Sequence, residues 1–96
     1  MKEFRFYISR ESGLPHIYDH GVNEHEIEEA FLNRVLDFRG RGDTRVAQGQ
    51  TAAGRYLKFV YIPDEDSIGV FIITAYDLRG KGLRALKRRL RRRFHE

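Results

Sequence analysis

The stretch from Arg55 to Tyr76, RYLKFVYIPDEDSIGVFIITAY, decides the fold class. It holds two apolar runs, 55–62 and 68–76, each too short for a stable helix and each rich in β-branched and aromatic residues. Between them lies Pro63-Asp64-Glu65-Asp66-Ser67, a charged segment of turn formers. The reading is two antiparallel strands joined by a short loop. Apolar residues fall on both faces: Val60 and Ile62 are expected with Val70 and Ile72 on one, and Leu57, Phe59 and Tyr61 with Phe71 and Ile73 on the other. Strands apolar on both sides belong at the centre of a sheet and need cover from helices, a partner, or both.

Moving towards the amino terminus, two further strands are expected at about 35–39 and 44–50. The breaks Gly40-Arg41-Gly42-Asp43 and Thr51-Ala52-Ala53-Gly54 are short, so the four strands read as an antiparallel meander. Lys2 to Ser9 alternates Phe4, Phe6 and Ile8 with more polar positions and reads as an opening strand. Pro15 suits the start of a short helix that Gly21 would end in a left-handed conformation. Asn23 and Glu26 have the spacing of a capping box, with Val22 and Ile27 as its hydrophobic staple, so residues 24–33 should be helical. Ile27, Ala30 and Phe31 share the inner face. Glu24, Glu26, Glu28 and Glu29 crowd the amino-terminal half, where the helix dipole favours them, and read as solvated rather than catalytic.

The chain closes with LRGKGLRALKRRLRRRFHE, in which Leu83, Leu86, Leu90 and Phe94 recur at helical spacing among arginines and lysines. Residues 79–96 are expected as a basic amphipathic helix. The whole, residues 1–96, reads as a single α+β domain: a twisted antiparallel sheet of four to five strands with helices packed on it. At 96 residues a second core is excluded.

The overall charge of +4, from 18 basic and 14 acidic side chains, hides a division along the chain. Residues 1–78 carry nine basic and thirteen acidic groups, net −4, and residues 79–96 carry nine basic groups against Glu96, net +8. A helix so dense in Lys and Arg suits a polyanion, with Arg79, Lys81, Arg84, Lys87, Arg88, Arg89, Arg91 and Arg92 as the expected phosphate contacts. The competing reading is a solvated helix whose long stems cover part of the sheet. An anionic membrane surface fits the helical pattern too, but the density of large anchoring aromatics is low and no membrane association is expected.

The absence of cysteine excludes disulfides, thiolate metal sites and cysteine nucleophiles, and a cytoplasmic location is the expectation. No apolar run is long enough to span a bilayer, and the charged start lacks a secretory pattern. His16 and His20 lie four apart but no third metal ligand is identifiable, so no metal and no cofactor is expected. Arg41-Gly42-Asp43 reads as a hairpin turn rather than an adhesion signal. The glycines match no phosphate-cradling loop, and the serines sit in no strained-turn motif. What remains is chemistry that needs only a cationic cleft and proton-transfer groups. Cleavage of RNA through its own 2′-hydroxyl is the case in point, with His20, Arg45, Arg55, Tyr56, Tyr76, Arg79 and Lys81 as candidates.

Three stretches then carry a resemblance: His20-Gly21-Val22 with the glutamate-rich helix ending Glu29-Ala30; Arg45-Val46-Ala47-Gln48-Gly49-Gln50 leading to Ala53-Gly54-Arg55-Tyr56-Leu57; and Ile72-Ile73-Thr74-Ala75-Tyr76. In order and approximate spacing they resemble the BrnT family of toxins within the RelE/ParE superfamily of type II toxin–antitoxin systems. That resemblance implies helices packed on a twisted antiparallel sheet, mRNA cleavage without a metal, and neutralisation by a small DNA-binding antitoxin in a heteromeric complex, with RNA bound free or on the ribosome. It places His20, Arg45, Arg55 and Tyr76 at the catalytic positions. The chain departs from the family in lacking its amino-terminal Trp-Asp-Pro motif, in carrying Thr-Ala-Tyr where many members have Ser-Ala-Arg, and in its arginine-rich end. The alternative expectation is a non-catalytic module of the same fold that binds RNA or an acidic antitoxin segment.

Overall fold

The computed structural model describes residues 2–66 and 68–94, without the side chains of residues 93 and 94. In chain order the elements are β1 (Glu3–Phe6), a 3-10 turn (His16–His20), α1 (Glu24–Leu32), β2 (Arg34–Arg39), β3 (Arg45–Gln50), β4 (Tyr56–Pro63), β5 (Gly69–Asp77) and α2 (Gly80–Phe94). The five strands form one sheet in the order β1-β5-β4-β3-β2. Strands β2 to β5 make the expected antiparallel meander, whereas β1 pairs with β5 in parallel, with Phe4 opposite Val70 and Phe6 opposite Ile72. The sheet is therefore mixed, which corrects the all-antiparallel expectation. An alternating pattern fixes which face a strand buries but not the direction in which it runs.

Local signals set the helical elements. Asn23 accepts from the Glu26 amide at 2.9 Å while the Glu26 carboxylate accepts from the Asn23 amide at 3.1 Å, a complete capping box. The 3-10 turn ends where Gly21 takes φ 71°, a conformation that is cheap only without a side chain. Ile27, Ala30 and Phe31 of α1 are buried against the sheet. Gly49 of β3 lies so close under α1 that an added methyl group would collide with the Ala30 carbonyl.

The core fills one face of the sheet. Ala47, Leu57, Phe59, Tyr61, Val70, Ile72 and Ala75 are fully or nearly fully buried, joined by Ile17 and Val22 and edged by Phe4 and Phe6. Phe31 meets Phe4, Phe59 and Tyr61 with ring centroids 5.2–6.1 Å apart. Each fully buried side chain of this size stabilises the fold by roughly 1.5–3 kcal/mol.

The facing pairs differ from those the sequence suggests. Val60 lies opposite Thr74 and Tyr61 opposite Ile72, so Ile73 is an extra residue on β5, a bulge. Tyr61 consequently shares the covered face with Ile72, and Ile62 shares the other face with Phe71. That second face is only half-buried, and along it run the rows Leu36-Gln48-Lys58-Tyr76 and Phe38-Val46-Val60-Thr74.

After Leu78, whose amide donates to the Tyr56 carbonyl, the chain turns into α2. Leu86 is buried, Leu83 and Leu90 are half-buried, and the Lys87 ammonium sits 5.9 Å from the Tyr56 ring centroid. The expected helix over 79–96 thus begins at Gly80. The Phe94 side chain and residues 95 and 96 lie outside the described residues. No helix among the described residues is long and apolar enough to cross a membrane.

Candidate nucleic-acid interface

Arg55 organises one end of the molecule. Its guanidinium donates to the Gly21 carbonyl at 2.9 Å, to both Glu26 carboxylate oxygens at 3.1 and 2.9 Å, and through Nε to Asp77. Three separate segments meet on this one side chain: the end of the 3-10 turn, the first turn of α1 and the end of β5. The two flanking carboxylates raise the Arg55 pKa further above its ordinary value. Arg55 and Arg79 together hold the Asp77 carboxyl below its usual range.

Two aromatic side chains are placed by this clamp. His20 immediately precedes the Gly21 carbonyl that Arg55 holds, and Tyr76 immediately precedes Asp77. Both are exposed, and their ring centroids lie 6.0 Å apart. Beside Tyr76, Lys58 is its direct cross-strand neighbour on β4, which sets their Cβ atoms about 4.5–5.5 Å apart. Arg79 follows three residues after Tyr76, largely exposed and bonded to Asp77 at 2.6 Å. The sequence pattern missed Lys58, because a lysine in an alternating strand reads as ordinary solvent-face filling. Only the strand register reveals its neighbour.

Arg45 lies elsewhere. It pairs with Tyr61, six positions along β4 from Arg55, a separation of about 20 Å at the usual strand rise. Its side chain is on the α1 face, with Nε bonded to Asp37 at 2.7 Å. Asp37 also accepts from Arg34 at 2.8 Å and from the Tyr61 hydroxyl, which in turn accepts from Arg34 at 3.0 Å. The Arg34 guanidinium stacks 3.9 Å from the Phe31 ring centroid. Burial, and then the bond to Asp37, raise the Tyr61 pKa. Among the described residues no buried side-chain nitrogen or oxygen is left without a hydrogen-bond partner. Of the four expected catalytic residues, then, the structure gathers His20, Arg55 and Tyr76 at one end of the sheet and leaves Arg45 at the other.

The cations of α2 are spread around its exposed surface. Arg88, Arg89 and Arg92 line a shallow groove of about 370 Å³ on the side away from the leucine stripe, and Lys81, Arg84 and Arg91 are exposed beside it. Among the described residues none of these six forms an ion pair. Two carboxylates elsewhere are engaged: Asp64 pairs with Arg5, and Glu29 lies 3.4 Å from His25. Among the described residues no three His, Asp or Glu side chains converge as a metal site.

The fold defines an α+β domain with a half-exposed sheet face beside a lysine- and arginine-rich helix. Comparison with family models, with curated proteins and with solved structures finds no match to this chain.

Proposed function

We propose that this chain is a toxin-type endoribonuclease of the RelE/ParE kind, cleaving RNA through its 2′-hydroxyl without a metal and neutralised by a cognate DNA-binding antitoxin. The observation that carries the reading is the exposed pairing of His20 with Tyr76, flanked by Lys58 and Arg79 and bordered by six α2 cations that form no ion pair among the described residues. In this scheme the His20 imidazole takes the proton of the 2′-hydroxyl as that oxygen attacks phosphorus. Tyr76 delivers its phenolic proton to the departing 5′-oxygen as the P–O bond breaks. Lys58 and Arg79 stabilise the charge that accumulates on the phosphorane oxygens. Arg55 touches no substrate here; it positions His20 and Tyr76 through Gly21 and Asp77. The α2 cations hold the phosphates on either side of the scissile bond.

A second reading, a binding module without turnover, is favoured by one observation: Arg45 and Arg55 are both engaged by carboxylates, which removes two cations from the expected catalytic set. One experiment separates the two. Purified protein is incubated with single-stranded RNA in excess EDTA, and product ends are read for 2′,3′-cyclic phosphate. Cleavage that is lost in His20→Ala and Tyr76→Phe supports the enzyme. Tight, salt-sensitive RNA binding with intact RNA assigns the module instead. In a growing bacterium the enzyme reading further requires that expression arrest growth and deplete mRNA, and that co-expressed antitoxin reverse both.

A further inference from the structure

The ring pair at the candidate site is one end of a longer row. His20 stands 5.3 Å from His16, and His16 stands 6.1 Å from Tyr7, ring centroid to ring centroid. Successive rings meet edge to face or tilted rather than stacked face to face. Tyr7 is 43% exposed and Tyr76 36%. The His16 side chain is 33% exposed, and its Nδ1 lies 3.3 Å from an Asp19 carboxylate oxygen. These rings stand at the surface, unlike the core rings of Phe59 and Phe31. The row arises from tertiary structure: β1 runs parallel to β5, the Tyr7 amide continues that pairing to the Ile72 carbonyl, and the His16 amide returns to the Tyr7 carbonyl.

At its far end the row opens into a groove of about 280 Å³ lined by Tyr7, Ser9, Arg10, Glu11, His16 and Asp19. Aromatic faces stand there beside hydrogen-bond donors and acceptors, the combination that receives an unpaired nucleobase. At its near end the row meets Lys58, Arg79 and the start of α2, the combination that receives phosphate.

We propose that Tyr76, His20, His16 and Tyr7 form a stacking track for the unpaired bases of an extended single strand of RNA, with the groove at Tyr7 receiving a base remote from the scissile bond. This rests on the reading of the protein as one that binds RNA, and adds to it the strandedness of the substrate and the direction in which it leaves the site. Duplex RNA cannot use the track, because its bases are already stacked on one another.

The test uses the full chain and fluorescence anisotropy with three probes: a mixed-sequence single-stranded oligoribonucleotide, its duplex, and inorganic polyphosphate. The double variant Tyr7→Leu/His16→Gln lies outside the proposed proton-transfer pair. It should weaken single-strand binding about 5- to 150-fold, the usual effect of losing one base-stacking contact. Its binding of duplex and polyphosphate should be unchanged. Tyr7→Phe/His16→Tyr, which keeps the rings, should restore single-strand affinity, and matching thermal melts confirm that each variant folds. Single-strand binding unaltered in Tyr7→Leu/His16→Gln, or all three probes weakened alike, overturns the track while the RNA reading stands. Failure of the wild-type protein to bind any probe overturns both.

Discussion

Replacing Arg55 with alanine tests the central structural claim, that this arginine is a clamp joining three segments. Its side chain is 28% exposed and those of Glu26 and Asp77 are 23% and 24%, so the two ion pairs lie between the surface and buried limits. Exposed pairs contribute up to about 1 kcal/mol, whereas breaking a buried one costs about 3–5 kcal/mol. The substitution also removes the bond to the Gly21 carbonyl, leaves the Glu26 carboxylate without its cation and leaves Asp77 with only the largely exposed Arg79. A loss of about 3 kcal/mol follows. For a domain of this size each kilocalorie moves the melting temperature by about 4–8 °C, so Arg55→Ala should melt about 12–24 °C lower by far-ultraviolet circular dichroism. Arg55→Lys, which keeps the charge without the fork, should recover less than half of that. Adding Glu26→Gln to the alanine variant, which keeps an acceptor for the Asn23 amide, should regain part of the stability by removing the orphaned charge. A melting temperature within about 4 °C of wild type would refute the clamp. Loss of RNA cleavage without loss of stability in Arg55→Ala would instead return Arg55 to the reacting atoms.

Four further outcomes are expected. Gly49→Ala forces a methyl group into the Ala30 backbone and should lower stability by about 1–3 kcal/mol, read as a shift in urea midpoint. The neutral Tyr61 phenol is favoured by folding, so its contribution is complete below its unfolded pKa of about 10 and lost as pH rises through its higher folded value. Wild type should therefore lose melting temperature between about pH 9 and 12, and Tyr61→Phe should lose less. Asp77 has the opposite sign: its lowered pKa gives stability that is complete above the unfolded value of about 3.9 and lost as pH falls through the folded one, so Asp77→Asn should flatten the acid limb of the stability curve. Reversing charge at Arg88, Arg89 and Arg92 should weaken polyphosphate binding by an order of magnitude or more and shallow its salt dependence, with little change in melting temperature; unfolding instead would show that the helix is chiefly structural.

Where a feature depended on neighbours in sequence, the sequence revealed it. The Asn23 and Glu26 capping box, the left-handed Gly21 and the three short hairpin connections rest on side chains a few residues apart. The features it concealed all depend on register. Alternation in Phe4 and Phe6 is the same for a parallel or an antiparallel partner, and one extra residue at Ile73 exchanges the faces of everything beyond it. The candidate site divides in the same way. His20, Arg55 and Tyr76 stand at segment ends that turn signals locate. That Arg45 answers to Asp37 rather than to this group, and that Lys58 and the row back to Tyr7 complete it, follows only from which strands lie side by side.

The parallel pairing of β1 with β5 also governs when the domain can form during synthesis. A nascent chain that has reached Pro63 already displays Phe4, Phe6 and Phe31, yet the strand that lies between β1 and β4 has not been made. Neither Tyr76 nor the parallel neighbour of β1 exists until synthesis has passed Asp77. Such long sequence separation slows folding and exposes unpaired strand edges in the meantime. The ring row therefore cannot close before β5 has been made, although Tyr7, His16 and His20 all lie within the first twenty residues.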